Sequence, residues 1–137
     1  MYRIFSYRVK VLSSDVDVNG HANNVCHLRW MNQAAVEHSR ANGWSQERYV
    51  ELGLTWFARR HVIDYLVPVL EGDELDIQTW VCEFKLIKSV RKYRFVRISD
   101  NIKIAEAETL WAFVNLKTGR PAKIPTEVSD CFFVTEN

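Results

Sequence analysis

Residues 15–24 read Asp15-Val16-Asp17-Val18-Asn19-Gly20-His21-Ala22-Asn23-Asn24. Two aspartates, three asparagines, a glycine and a histidine fall within ten positions, just ahead of the longest helical pattern in the chain. Short polar side chains at that density hydrogen-bond backbone locally, so they mark an ordered loop leading into a helix rather than a core element. A carboxylate, an imidazole and amides held close together are also the groups that hydrolytic chemistry uses. The stretch is therefore read as a site, and the rest of the chain as its scaffold.

Outward from the loop, the pattern changes period on either side. Before it, Tyr2 to Leu12 alternates: Phe5, Tyr7, Val9 and Val11 share one face, and Ser6, Arg8 and Lys10 the other, as in a half-buried strand. After it, from about Val25 to Asn42, Leu28, Met31, Ala34, Ala35 and His38 fall at helical spacing, with Trp30 and Val36 widening the apolar stripe. Gly43 is a stop signal. Ser45 caps a shorter helix through about Leu52, with Glu47 in its first turn and Gly53 ending it.

Beyond Gly53 the chain reads as β-structure. Leu54 to Val69 is mixed and carries Val62, Ile63, Tyr65 and Val67 ahead of Pro68. Glu71-Gly72-Asp73 is a turn, and a strand follows from Leu75 to Phe84 with apolar residues on both faces. Further segments run from about Val90 to Ser99 and from about Ile104 to Asn115, joined through a turn at Asp100-Asn101. Lys117 to Pro121 is a turn, and the tail after Pro125 is expected to be irregular. One strand, a long helix, a short helix and then strands at hairpin spacing mean an α+β fold with an antiparallel sheet. One helix cannot cover both faces of such a sheet, and self-association through the sheet would resolve that.

Composition narrows the class. At 137 residues, the chain is read as a single domain spanning 1–137. Its 47% hydrophobic and 26% charged content is that of a soluble globular protein. A net charge of +1 with scattered Lys and Arg argues against a nucleic-acid or anionic membrane surface. Cys26, Cys82 and Cys131 are odd in number and widely spaced, which argues against a disulfide framework or a metal cluster. No metal and no cofactor are expected. No apolar run of about 18 residues exists, and the N-terminus lacks a signal-peptide pattern, so a cytoplasmic location is expected.

A resemblance becomes visible once these marks are set in order. Asp15-x-Asp17, Gly20, then His21-x-Asn23-Asn24 and His27-Leu28-Arg29-Trp30 is similar to the signature of hotdog-fold acyl thioesterases of the 4-hydroxybenzoyl-CoA thioesterase-like family. The run Asp17, Asn19, His21 resembles the active-site loop of plant-type acyl-ACP thioesterases. Ile63 to Val69 with Gly72-Asp73, and Asn115 to Pro121 with Ile124-Pro125, resemble the family's later strand, turn and exit. The resemblance runs from about residue 9 to 125. It implies a hotdog fold, with a long central helix wrapped by an antiparallel sheet of about five strands. It also implies homodimers joined edge to edge, or homotetramers, with active sites at the subunit interface.

The implied activity is hydrolysis of an acyl-CoA or acyl-carrier-protein thioester to the free acid and thiol. Asp17 matches the family's catalytic aspartate, acting as nucleophile or as the base that activates water. His21 would hold or deprotonate that water, and Asn19 would position the water or the substrate carbonyl. Backbone N–H groups near Asn24, at the helix start, would form the oxyanion hole. Asp15 and Asn23 are read as structural, bonding backbone in the loop. His27, His38 and His61 are read as structural, Cys26 as a small buried residue, and Trp56, Phe57, Tyr65 and Trp111 as core. Arg59, Arg60, Arg91 and Lys92 are read as a solvated face.

The chain also departs from the pattern. Where single-domain relatives often carry a glutamate in the long helix, Asn32 and Gln33 stand here, and Pro68 and Val69 stand near the plant-type Glu-Cys pair. Only the loop residues are therefore carried over. The alternative of a non-catalytic hotdog protein that binds an acyl ligand stays open. A hotdog dehydratase is disfavoured, because His21 is followed by Ala-Asn-Asn rather than a Pro- and Gly-rich turn.

Overall fold

The structure is a computed structural model that describes residues 3–135. Its strands are β1 (Phe5–Lys10), β2 (Leu54–Tyr65), β3 (Glu74–Lys85), β4 (Lys88–Arg97) and β5 (Ile102–Asn115). Its helices are α1 (Asn24–Ala41), α2 (Gln46–Glu51) and a single turn, α3 (Thr126–Ser129). The strands form one antiparallel sheet in the order β1-β3-β4-β5-β2. β1 and β2 are therefore opposite edges, and α1 carries the chain from one to the other. At about 1.5 Å per residue, its eighteen residues span about 27 Å, enough to cross five strands spaced about 4.8 Å apart.

Helix α1 begins and ends where its side chains dictate. Asn23 is the N-cap, and its Oδ1 accepts from the Val25 N–H at 3.0 Å. Such a cap is worth about 1 kcal/mol. Gly43, at φ +95°, takes the left-handed conformation that ends the helix. Ser45 caps α2 by accepting from the Arg48 N–H at 3.1 Å. Trp30, Met31, Ala34, Ala35 and His38 line the buried face of α1. Trp30, Met31, Ala34 and Ala35 meet Leu75, Ile77, Tyr93 and Phe95 from β3 and β4 in the main core. A second cluster forms past the helix C-terminus around Trp44, Tyr49, Phe113 and Val128.

Register shifts interrupt the pairing between Ala58 and Arg60, between Val81 and Glu83, and between Phe95 and Val96. Each is a bulge-like irregularity, which bends a strand and increases twist, so the sheet curls around α1. Asp100-Asn101 forms the expected β4–β5 turn, with Asn101 at φ 58°, a conformation that asparagine tolerates better than most residues.

Four expectations are corrected. The mixed stretch 54–69 is one twelve-residue strand to Tyr65, followed by a short crossing segment. The tail is not irregular: α3 seats Val128 and Phe132 in the second cluster, and Thr135 donates to the Val81 carbonyl at 2.8 Å, beyond the end of β1. Phe57 and Tyr65 are not core but exposed, because β2 is an edge strand (Phe57 is 59% exposed). Arg91 does not lie on a solvated face. It stands on the side of β4 turned toward α1 and is 6% exposed, whereas Arg59 and Arg60 are exposed as expected. Among the described residues, no helix is long and apolar enough to cross a membrane.

Candidate active site

The 15–24 loop is a tight hairpin closed at both levels. The Asp17 N–H donates to the His21 carbonyl at 2.8 Å and the Gly20 N–H to the Asp17 carbonyl at 3.0 Å. Gly20, at φ +77°, supplies the reversal. Below the tip, the Ala22 N–H donates to the Val69 carbonyl at 2.7 Å and the Asn23 N–H to the Asp15 carbonyl at 2.8 Å. The first ties the loop to the segment that follows β2, and the second closes the base of the loop on itself.

Asp15 braces the loop from beneath. It is 4% exposed, and its carboxylate accepts from the Leu12 N–H at 2.9 Å and from Arg29 Nη2 at 2.7 Å. Burial pushes its pKa up, but the Leu12 N–H and the Arg29 guanidinium outweigh that and hold the carboxyl below its usual range. The Cys26 thiol lies against Asp15, 3.5 Å from its carbonyl and 3.7 Å from its Oδ1. Burial pushes the thiol up, so Cys26 is a protonated, packed side chain at neutral pH, as the sequence suggests.

Asp17 is placed differently. It is exposed, and one oxygen, Oδ1, accepts from both the Asn19 N–H at 2.9 Å and the His21 N–H at 3.3 Å. The loop backbone thereby orients the carboxylate while its other oxygen accepts no hydrogen bond among the described residues. Asp17, His21 and Asn24 line one cleft of about 230 Å³ with His27, Tyr65 and the segment 66–69. Asn24 is the first residue of α1, and its N–H donates to no acceptor among the described residues. It carries the positive end of the helix dipole into the cleft. Asn19 lies outside the cleft wall and contributes its backbone N–H to Asp17.

Two wall residues escape a reading of the loop alone. His27 is one helical turn past Asn24 and 4% exposed, with Tyr65 edge-on at 4.8 Å and Phe95 at 5.5 Å between centroids. Burial pushes its pKa down, and its Nδ1 is buried with no hydrogen-bond partner among the described residues. The i,i+3 spacing from Asn24 is the sequence signal that puts it on the cleft side. Tyr65 comes from the end of β2, and its hydroxyl donates to the Asn24 carbonyl at 3.4 Å. No local pattern links the two positions.

Known proteins resemble this chain in sequence and in fold. The acyl-CoA thioester hydrolase YbgC of Shigella flexneri is 24% identical over 125 residues, covering 91% of this chain and 92% of its own. A 1,4-dihydroxy-2-naphthoyl-CoA thioesterase from Synechocystis superposes with a TM-score of 0.86 at 18% identity, covering 93% of this chain and 94% of its own. An acyl-ACP thioesterase from Bacteroides thetaiotaomicron superposes with a TM-score of 0.87 at 24% identity, covering 98% of this chain and 55% of its own. At these identities the two superpositions establish the hotdog fold. A family model then matches residues 11–132, from the end of β1 through α3, and the chain belongs to the thioesterase-like superfamily, the hotdog thioester hydrolases its loop resembles.

Proposed function

We propose that the protein hydrolyses an acyl thioester, of coenzyme A or of acyl carrier protein, at the 15–24 loop, and that residues 1–137 act as one hotdog unit. The observation that carries this reading is the pairing of a backbone-oriented Asp17 carboxylate with the unengaged Asn24 N–H across one cleft. The first is a base or nucleophile, and the second is a donor for the oxygen that gains charge as the carbonyl is attacked. In one route Asp17 takes a proton from water, the hydroxide adds to the carbonyl carbon, the C–S bond breaks and the thiolate leaves with a proton as thiol. In the other, Asp17 adds to the carbonyl carbon, the C–S bond breaks and the thiolate leaves, taking a proton to become the thiol; water then hydrolyses the mixed anhydride, releasing the acid and restoring the Asp17 carboxylate. His21, beside Asp17, holds the water in either route, and Asn19 holds Asp17 through its N–H.

We propose in addition that the protein forms a homodimer along β2. β2 is an edge strand twelve residues long, and Phe57, Val62 and Tyr65 are exposed along it. A second copy pairing there would cover them and set a partner surface beside Tyr65 and the cleft, with tetramers as pairs of such dimers.

The test is thiol release from short, long and aromatic acyl-CoAs, by wild type and Asp17→Asn side by side. The reading stands if wild type turns over a member of the panel and the folded variant does not. If no CoA ester reacts, acyl-ACP is assayed next. Binding without turnover on both carriers would overturn hydrolysis in favour of an acyl-binding protein.

A further inference from the structure

A second cavity, about 360 Å³ against about 230 Å³ for the loop cleft, plays no part in that chemistry. It lies between the C-terminal half of α1, α2 and the sheet, within the about 300–1,000 Å³ typical of small-molecule sites. Its Ser39 wall lies about 22 Å along α1 from Asn24, at about 1.5 Å per residue. Tyr49, Trp56, Phe84 and Trp111 make much of the lining aromatic. Among them stands Arg91.

Arg91 Nη1 donates to His38 Nδ1 at 2.9 Å and to Thr79 Oγ1 at 3.1 Å. A guanidinium has only donors, so His38 Nδ1 must be the acceptor. Both partners are then neutral at the contacting atom. Nε and Nη2 of Arg91 reach no acceptor among the described residues, and none of the described carboxylates forms an ion pair with it. A buried charge without a counter-charge is costly, and a forked pair of N–H groups matches a carboxylate.

We propose that this cavity binds a free organic monocarboxylate with an apolar body, its carboxylate on Nε and Nη2 of Arg91 and its body against the aromatic wall. The inference concerns binding of an acid and stands whether or not the loop cleft hydrolyses thioesters.

Tryptophan fluorescence, with Trp44, Trp56 and Trp111 in the cavity wall, reads the test directly. Wild type, Asp17→Asn, Arg91→Met and Arg91→Lys are titrated with decanoate, decanol and decanamide. We expect decanoate to bind saturably, about ten- to a hundredfold tighter than decanol or decanamide. Asp17→Asn keeps that preference, Arg91→Lys keeps part of it and Arg91→Met removes it. Should Arg91→Met not fold, the head-group comparison on wild type decides, together with the NMR shift of the Arg91 Nε–H on adding decanoate. The proposal is overturned if decanoate does not saturate, if decanol binds as tightly, if the Arg91 Nε–H does not move, or if Asp17→Asn abolishes the preference.

Discussion

The two ends of helix α1 handle charge in opposite ways. At the N-terminal end, Asp17 is exposed and oriented by backbone N–H groups, beside a helix terminus with an N–H to spare. At the C-terminal end, Arg91 is buried among aromatic rings and held by two neutral side chains, and burial pushes its pKa down from the ordinary arginine value. The first arrangement costs little folding free energy, because water still solvates the carboxylate and the loop's own backbone positions it. The second draws on packing around it and leaves a charge for something else to neutralise. Chemistry that must meet water suits the first end, and selective binding of an apolar acid suits the second.

Substitutions at each end should separate these roles. The largest effect is expected from Asp17→Asn, which should lower thioester turnover by about 10²- to 10⁴-fold. Thermal unfolding should barely move, since Asp17 is exposed; a large loss of stability would mean the carboxylate is a structural strut. Phe113→Ala should do the reverse. Phe113 is fully buried in the second cluster, against Trp56 at 4.7 Å between centroids, and its truncation should cost about 3–5 kcal/mol by denaturant titration.

Beneath the loop, Asp15→Asn should cost about 1–2 kcal/mol. It removes the charge facing Arg29 but leaves an acceptor for the Leu12 N–H, and Arg29, half exposed, can rehydrate. Asn23→Ala should cost about 1 kcal/mol by removing the α1 cap, and should lower turnover more than its stability loss explains if the helix start serves the cleft. A neutral effect on rate would break that link.

The gentlest test is pH. Burial lowers the pKa of His27, and also that of His61, so in each case the unfolded chain takes up a proton before the folded one does. Stability is therefore unaffected well above about pH 6.5 and falls as pH drops below it toward the folded-state pKa. Asp15 adds a second loss in more acid solution, as pH falls from about 3.9 through its lowered folded-state value. His27→Phe should flatten the first decline in a pH series of unfolding curves, and an unchanged slope would remove His27 as its source.

Local chemistry wrote much of this protein legibly into its chain. Asn23, Ser45 and Gly43 bound their helices through bonds and dihedrals that reach only a few residues, so α1 and α2 end within a residue or two of where their caps stand. The alternation in β1 and the Asp100-Asn101 turn are equally local. The Asp17 hairpin is legible for the same reason: all of its orienting bonds lie within residues 17–21. What only the tertiary structure decided depends on partners far along the chain. Tyr65 joins the cleft because β2 ends beside the start of α1, and Phe57 is exposed because β2 is an edge. Arg91 is buried because the register of β4 turns it toward His38, 53 residues away. A basic residue in an alternating strand reads as solvated by default, and only the packing of a helix over that face reverses the reading.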